Sequence, residues 1–160
     1  MTIPDRLVAY TDGSALGNPG PGGWAFWVHD GCWASGSEAH TTNNRMELQA
    51  CLEALRYVGP DRAVEIRSDS KYLLDAIAPG RGWIHGWKRR GWKKADGGPV
   101  ANLELFQAID ELLEARNAPI LLTWVRGHSG EPGNERVDDL ARSAATRAQS
   151  GDTSGRRNHS

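Results

Sequence analysis

The chain has 160 residues, 39% hydrophobic and 24% charged, with a net charge of −1. That length suffices for one domain with a sizeable core, and no apolar run reaches the length of a membrane span. The near-zero net charge argues against a uniformly basic nucleic-acid binder, although the total conceals a local cluster described below.

The N-terminal stretch MTIPDRLVAY has an acidic residue and no basic segment before a long apolar block. A secretory signal is therefore not expected, and a cytoplasmic location is. Residues 6–12 read as a buried strand ending at Asp12. The following stretch, TDGSALGNPGPGG, is rich in glycine and proline. It is not a P-loop: it lacks G-x-x-x-x-G-K-[ST], and no helix follows. Residues 23–29 and 32–39 read as a hairpin around Asp30-Gly31. Cys32 and Cys51 have no zinc-type spacing and read as buried, inert thiols in a reducing compartment.

In residues 43–58, Leu48, Cys51, Leu52 and Leu55 recur with the spacing of one helical face, and Gly59-Pro60 stops the helix. Residues 63–69 alternate apolar and polar and read as a strand ending at Asp69; residues 71–78 read as a short helix stopped by Pro79-Gly80. Between Arg81 and Lys94 come six Lys/Arg, no Asp/Glu, and Trp83, Trp87 and Trp92. Residues 102–116 predict a helix with Leu105, Ile109, Leu112 and Leu113 on one face, and 119–125 a strand. After the loop RGHSGEPG, residues 134–148 predict a helix with Val137, Ala141, Ala144 and Ala145 inward. The last twelve residues, 149–160, are polar and aperiodic, and predict a disordered tail. There is no internal repeat. Strands alternating with helices after an antiparallel start predict one mixed α/β domain, residues 1–148, with helices packed on a mixed sheet.

Four acids stand out. Asp12 and Asp69 end predicted strands; Glu47 and Asp138 lie in first turns of predicted helices. With about 100° per helical residue, Glu47 lies about 40° from Cys51, inside the apolar stripe, whereas Glu53 points away. Any one of these could be a solvated acid or an N-terminal charge favoured by the helix dipole. Converging carboxylates would repel and be desolvated, and a hard divalent cation relieves both costs. The set therefore predicts a metal site, and a phosphate substrate would complete it.

The stretches TDGSALGNPGPGGW, TTNNRMEL, SDSKYL, GWIHGWKRRGWK and VRGHSGEPGNERVDDLA, in that order over residues 7–146, resemble bacterial ribonuclease HI. The resemblance implies a ribonuclease H-like five-stranded sheet. In it the first three strands are antiparallel, the fourth and fifth run parallel to the first, and helices cover both faces. It implies a monomeric endonuclease that cuts the RNA strand of RNA–DNA hybrids, leaving 5′-phosphate and 3′-hydroxyl ends. Two Mg2+ ions would serve catalysis, with Mn2+ as a substitute. Asp12, Glu47, Asp69 and Asp138 match the family's metal-binding carboxylates, with Asp12 as the bridging ligand. His128 matches its loop histidine, which would assist proton transfer or product release.

Asn18, Thr42, Asn43 and Asn44 match positions that contact the hybrid. Asn43 and Asn44 suit the 2′-hydroxyls of a wide minor groove, although helix capping would also explain them. Residues 81–94 match a basic protrusion. Within it Trp83, Trp87, Lys88, Arg89, Arg90, Trp92 and Lys93 would bind the substrate backbone, with at least one tryptophan reserved for the core. The glycine–proline stretch would form the turn of the first hairpin, its glycines admitting a close backbone approach to nucleic acid. Lys71 stands where the family commonly has glutamine, and residues 78–82 form a slightly longer connection. A non-catalytic hybrid or double-stranded-RNA binder would not need four acids; a transposase- or integrase-like nuclease would, but fits the motif set and compact length less well.

Overall fold

The structure is a computed structural model that describes residues 6–127 and 130–159. Its strands are β1 (Leu7–Ala15), β2 (Gly20–His29), β3 (Cys32–Thr41), β4 (Val64–Ser68), β5 (Ile120–Trp124) and β6 (Arg156–His159). The helices are α1 (Asn43–Val58), α2 (Lys71–Ile77), α3 (Trp83–Arg89), α4 (Leu103–Glu114) and α5 (Pro132–Gln149). One sheet runs in the order β5-β4-β1-β2-β3-β6. β1 pairs in parallel with β4, and β4 with β5; the β1–β2, β2–β3 and β3–β6 pairs are antiparallel.

Strand alternation assigns the two faces. Ala9 points to the side of α1, α2 and α4, where it packs with Leu48, Cys51, Leu52, Leu55, Ile66, Phe106 and Ile109. Tyr10 points the other way and packs with Ala25, Val137 and Ala141 under α5. The helical stripes expected at Leu48/Cys51/Leu52/Leu55 and at Val137/Ala141/Ala144/Ala145 are all buried. On α4, Leu105 and Ile109 are buried, while Leu112 and Leu113 are only partly so. α5 packs on β1, β2 and β3. Toward β4 and β5 this face carries Glu65, Arg67 and Thr123 instead, and these bond to one another. No helix among the described residues is long and apolar enough to cross a membrane.

Three features differ from the sequence expectations. First, β1 continues past Asp12 to Ala15 and β2 begins at Gly20, so only residues 16–19 form the turn. Asp12 pairs with Ala25, and Ser14 with Gly23, in the β1–β2 ladder. The glycines belong to the strands because the chain's own helices come close. A Cβ on Gly13 would collide with the backbone of Met46 and Glu47, and one on Gly23 with the backbone of Ala141 and Ala145. Second, the tail expected to be disordered contributes β6, making six strands rather than five. Its aperiodic polar sequence gives no strand signal. Pairing of Arg156 with Ser35 and Asn158 with Trp33 satisfies backbone groups on the exposed edge of β3. Third, the basic segment contains a helix, α3, and α5 starts at Pro132, two residues early, with proline at a position that tolerates its missing N–H.

Candidate active site

The site is assembled where β1 outruns its parallel neighbour. The last β1–β4 pair is Tyr10 with Arg67, so Asp12 lies two residues beyond it, beside the point where β4 ends. There, Ser68 Oγ accepts the Ser70 N–H at 3.0 Å, and Ser70 Oγ caps α2 by accepting the Leu73 N–H at 3.1 Å. These two serines fix the turn that carries Asp69. On the other side, Thr42 caps α1, its Oγ1 accepting the Arg45 N–H at 3.1 Å. The missing side chain of Gly13 lets the first turn of α1 lie directly on β1. Glu47 is thereby delivered to Asp12, and its carboxylate accepts the Gly13 N–H.

One carboxylate oxygen from each of Asp12, Glu47 and Asp69 lies within 4.8 Å of the others. Asp12 and Glu47 are buried, 4% and 8% exposed, and Asp69 is half-buried. Asp138, two turns into α5, faces Asp12 from the opposite side, where it can accept from the Asp12 carboxyl when that is protonated, and pairs with Arg142 at 3.0 Å. All four predicted acids therefore meet, with three forming the tight group and Asp138 flanking it.

The electrostatics follow from this crowding. Burial, reinforced by the charges of Asp69 and Asp138, pushes the Asp12 carboxyl up to about 8. Burial also holds Glu47 well above the usual carboxylate range, aided by the charges of Asp12 and Asp69 and opposed by the Gly13 N–H. Glu47 Oε1 is buried with no hydrogen-bond partner among the described residues. An orphaned carboxylate oxygen amid three other acids is the donor set a hard cation requires, so the residues present fit Mg2+ or Mn2+.

The predicted hybrid-contacting residues cluster at the start of α1. Asn18 Oδ1 accepts the Asn43 N–H at 3.1 Å, and Asn43 Oδ1 accepts the Ala15 N–H at 2.7 Å. The β1–β2 turn is thus tied to the helix whose fifth residue is Glu47. The cap is Thr42 rather than an asparagine; Asn18, Asn43 and Asn44 are exposed. His128 lies outside the described residues.

The basic segment divides into inward and outward parts. Trp87 packs edge-on against Phe106 at 4.9 Å, and Trp92 is partly buried against the core. Trp83 is 45% exposed and touches Tyr72 and Trp87. Lys88 lies at the surface alongside α4. Its ammonium pairs with Asp110 at 3.0 Å and Glu114 at 3.2 Å on α4, because the helical turn of α3 places it on the α4 side. Arg90 donates to the Lys93 carbonyl at 3.1 Å, and Arg89 and Lys93 are exposed.

Sequence reasoning missed three partners of the site. Arg142 carries a readable signal, the i,i+4 spacing from Asp138. Gly13 reads as turn glycine until the helix contact is known. Trp124 pairs with Ser68 in the sheet and lies under the Lys71 ammonium, 4.9 Å from the ring centroid. Only the folded sheet brings those two together.

A sheet with this order and acids converging from β1, α1, the end of β4 and α5 defines a ribonuclease H-type nuclease. The RNase H family model matches residues 4–146, and the chain belongs to that family. It is 48% identical over 147 residues to the ribonuclease H of Maricaulis maris, covering 89% of this chain and 95% of that one. It is 49% identical over 140 residues to the ribonuclease HI of Brucella melitensis, covering 86% and 88%. Among solved structures, LC9-RNase H1, described as a type 1 RNase H with the type 2 active-site motif, superposes with a TM-score of 0.74. The two share 34% identity, over 93% of this chain and 76% of that one. The chain is accordingly an endoribonuclease of the bacterial ribonuclease HI group.

Proposed function

We propose that this protein hydrolyses the RNA strand of RNA–DNA hybrids in a Mg2+-dependent reaction, leaving 5′-phosphate and 3′-hydroxyl ends. The observation that carries the proposal is the meeting of Asp12, Glu47 and Asp69 within 4.8 Å with a buried, unpartnered Glu47 oxygen. When bound, divalent ions supply an activated water, neutralised phosphate charge and a stabilised leaving oxygen. Asp12, Glu47, Asp69 and Asp138 would hold them, Asp12 centrally because it interacts with each of the other three. Burial of Asp12 and Glu47 strengthens their hold on a cation by excluding water from one side of the site. Asn18, Thr42, Asn43 and Asn44 would seat the hybrid's minor groove beside Glu47. His128 would move a proton or help release product. Arg89, Lys93 and Trp83 present the outward surface of residues 81–94 to the substrate backbone, while Trp87, Trp92 and Lys88 fasten that segment to the body of the domain.

A monomeric, cytoplasmic enzyme, with Mn2+ able to replace Mg2+ and residues 1–148 as the catalytic domain, belongs to the same proposal. The test is a labelled RNA–DNA hybrid beside duplex DNA and duplex RNA, each with Mg2+ or with EDTA. Cleavage of the hybrid's RNA strand alone, and only with metal, is expected. Equal cleavage of duplex DNA, or undiminished activity in EDTA, contradicts the proposal.

A further inference from the structure

The sheet face beyond α5 carries an ionic network that the site chemistry does not use. Glu65 is 3% exposed. Its Oε1 accepts from Arg6 Nε at 2.7 Å, and its Oε2 accepts from Arg67 Nε at 2.7 Å and Thr123 Oγ1 at 2.9 Å. The other arm of Arg67 donates from Nη1 to the Tyr10 hydroxyl at 2.8 Å and to Glu131 Oε1 at 3.2 Å. The Tyr10 hydroxyl donates in turn to Glu131 Oε1 at 2.6 Å. Glu131 is the residue that opens α5, its carbonyl accepting the Glu135 N–H at 3.0 Å.

Tyr10 touches α5 a second time. A Cβ on Gly133 would collide with the Tyr10 ring, so the first turn of the helix rests directly on it. One side chain thus fixes both the height of α5, through ring contact, and its start, through the hydroxyl. Tyr10 lies two residues before Asp12 on the same strand and face. Asp138 lies seven residues after Glu131, about two turns or ~10 Å along the helix.

Something must hold Asp138 against Asp12, because two acids do not approach without a restraint. The ion pair of Asp138 with Arg142 cannot do so, since both lie on α5. Packing of Val137 and Ala141 on Tyr10 and Ala25 presses α5 onto the sheet but ties its first turn to no fixed polar atom, and the bond from Arg136 to Asp30 is exposed at both ends and so weak.

We infer that Tyr10 and Arg67, acting through Glu131, are positioning residues of the active site: they clamp the start of α5 to β1 and β4 and so fix where Asp138 meets Asp12. The inference rests on the metal site proposed above.

Tyr10→Phe keeps the ring and removes only the hydroxyl. Three quantities test it: Mn2+ affinity by calorimetry, amide exchange at Glu135 without metal, and KM against kcat on a hybrid. Outer-sphere partners of metal ligands typically contribute 10–100-fold to affinity. At the lower end of that range, Tyr10→Phe is expected to bind Mn2+ about 10-fold more weakly. Glu135 should exchange faster, and KM for the hybrid should stay unchanged. Arg67→Lys is expected to retain more affinity than Arg67→Met. If Tyr10→Phe does not fold, Glu131→Ala, which removes the acceptor of both the Tyr10 and Arg67 bonds, is measured the same way with the same expectation. A lower melting temperature with unaltered Mn2+ affinity would make the network a purely structural feature and overturn the inference. A parent protein that takes up no Mn2+ overturns both this inference and the metal site; parent uptake with unchanged variants overturns this inference alone.

Discussion

Asp12 and Glu65 lie on neighbouring strands and are equally buried, 4% and 3% exposed, yet their carboxyl groups are displaced in opposite directions. Asp12 is pushed up to about 8 by burial and by the charges of Asp69 and Asp138. For Glu65, burial pushes upward too, but hydrogen bonds from Arg67, Arg6 and Thr123 prevail and hold it at about 2. Burial alone therefore does not decide the state of a carboxylate; its neighbours do. The Glu65 region is complete, with two guanidinium groups and a hydroxyl satisfying one acid. The Asp12 region gathers four acids, and Arg142 pairs with Asp138 at its periphery. One region serves stability, and the other gathers mutually repelling carboxylates, the condition that favours a bound divalent cation.

The largest expected effect comes from removing an acid from the incomplete region. Asp69→Asn should reduce hybrid cleavage by about 10³-fold or more, since Lewis-acid stabilisation is worth several kcal/mol. Circular dichroism should show the fold intact. Turnover near that of the parent would remove Asp69 from the site.

The next effect concerns stability and has opposite signs in the two regions. The ordinary value for Asp12 is 3.8, and in the folded protein it is about 8. The folded state thus holds this proton more tightly. The associated stability is complete below about pH 4 and is lost as pH rises through 8. Without metal, Asp12→Asn should accordingly stabilise the protein at pH 8 by on the order of a few kcal/mol, and by little at pH 4. Glu65 has an ordinary value of 4.5 and a folded value of about 2. Its stability is present above 4.5 and lost as pH falls through 2. Glu65→Gln should therefore destabilise at pH 7 by about 1–3 kcal/mol, below the range for fully buried pairs because both arginines are partly exposed. Urea titrations at several pH values measure both. Parallel pH profiles for the two variants would erase the distinction between the regions.

The smallest effect sharpens a similar contrast within the basic segment. Arg89→Ala should lower the log–log salt slope of hybrid binding by about 0.9, as one lost phosphate contact does. Lys88→Ala should alter it less, because Lys88 already pairs with Asp110 and Glu114. Binding isotherms at several salt concentrations distinguish them, and equal losses would mean that Lys88 leaves α4 to meet the substrate.

The elements and the four acids were legible in the sequence because each depends on local pattern: helical stripes, alternation, and acids at element ends. The convergence of Asp12 with Glu47 was an inference there; Gly13 accomplishes it, through a helix contact that no spacing announces. The strand β6 was hidden because its pairing follows from an open edge on β3 rather than from any hydrophobic pattern of its own. The pairing of Lys88 with Asp110 and Glu114 was likewise hidden, since it depends on α3 lying beside α4. The Tyr10–Arg67–Glu131 network spans 121 residues and leaves only an alternating polar face on β4 as its trace.

The most direct test of the contrast between the two regions is to follow the Asp12 and Glu65 carboxyl carbons by NMR through a pH titration, without and with Mg2+. Without metal, Asp12 is expected to titrate near pH 8 and Glu65 near 2. Added Mg2+ should move Asp12 sharply downward, because the cation favours its charged form, and leave Glu65 where it was. An Asp12 that titrates near 4 in the metal-free protein and does not respond to Mg2+ would contradict the account.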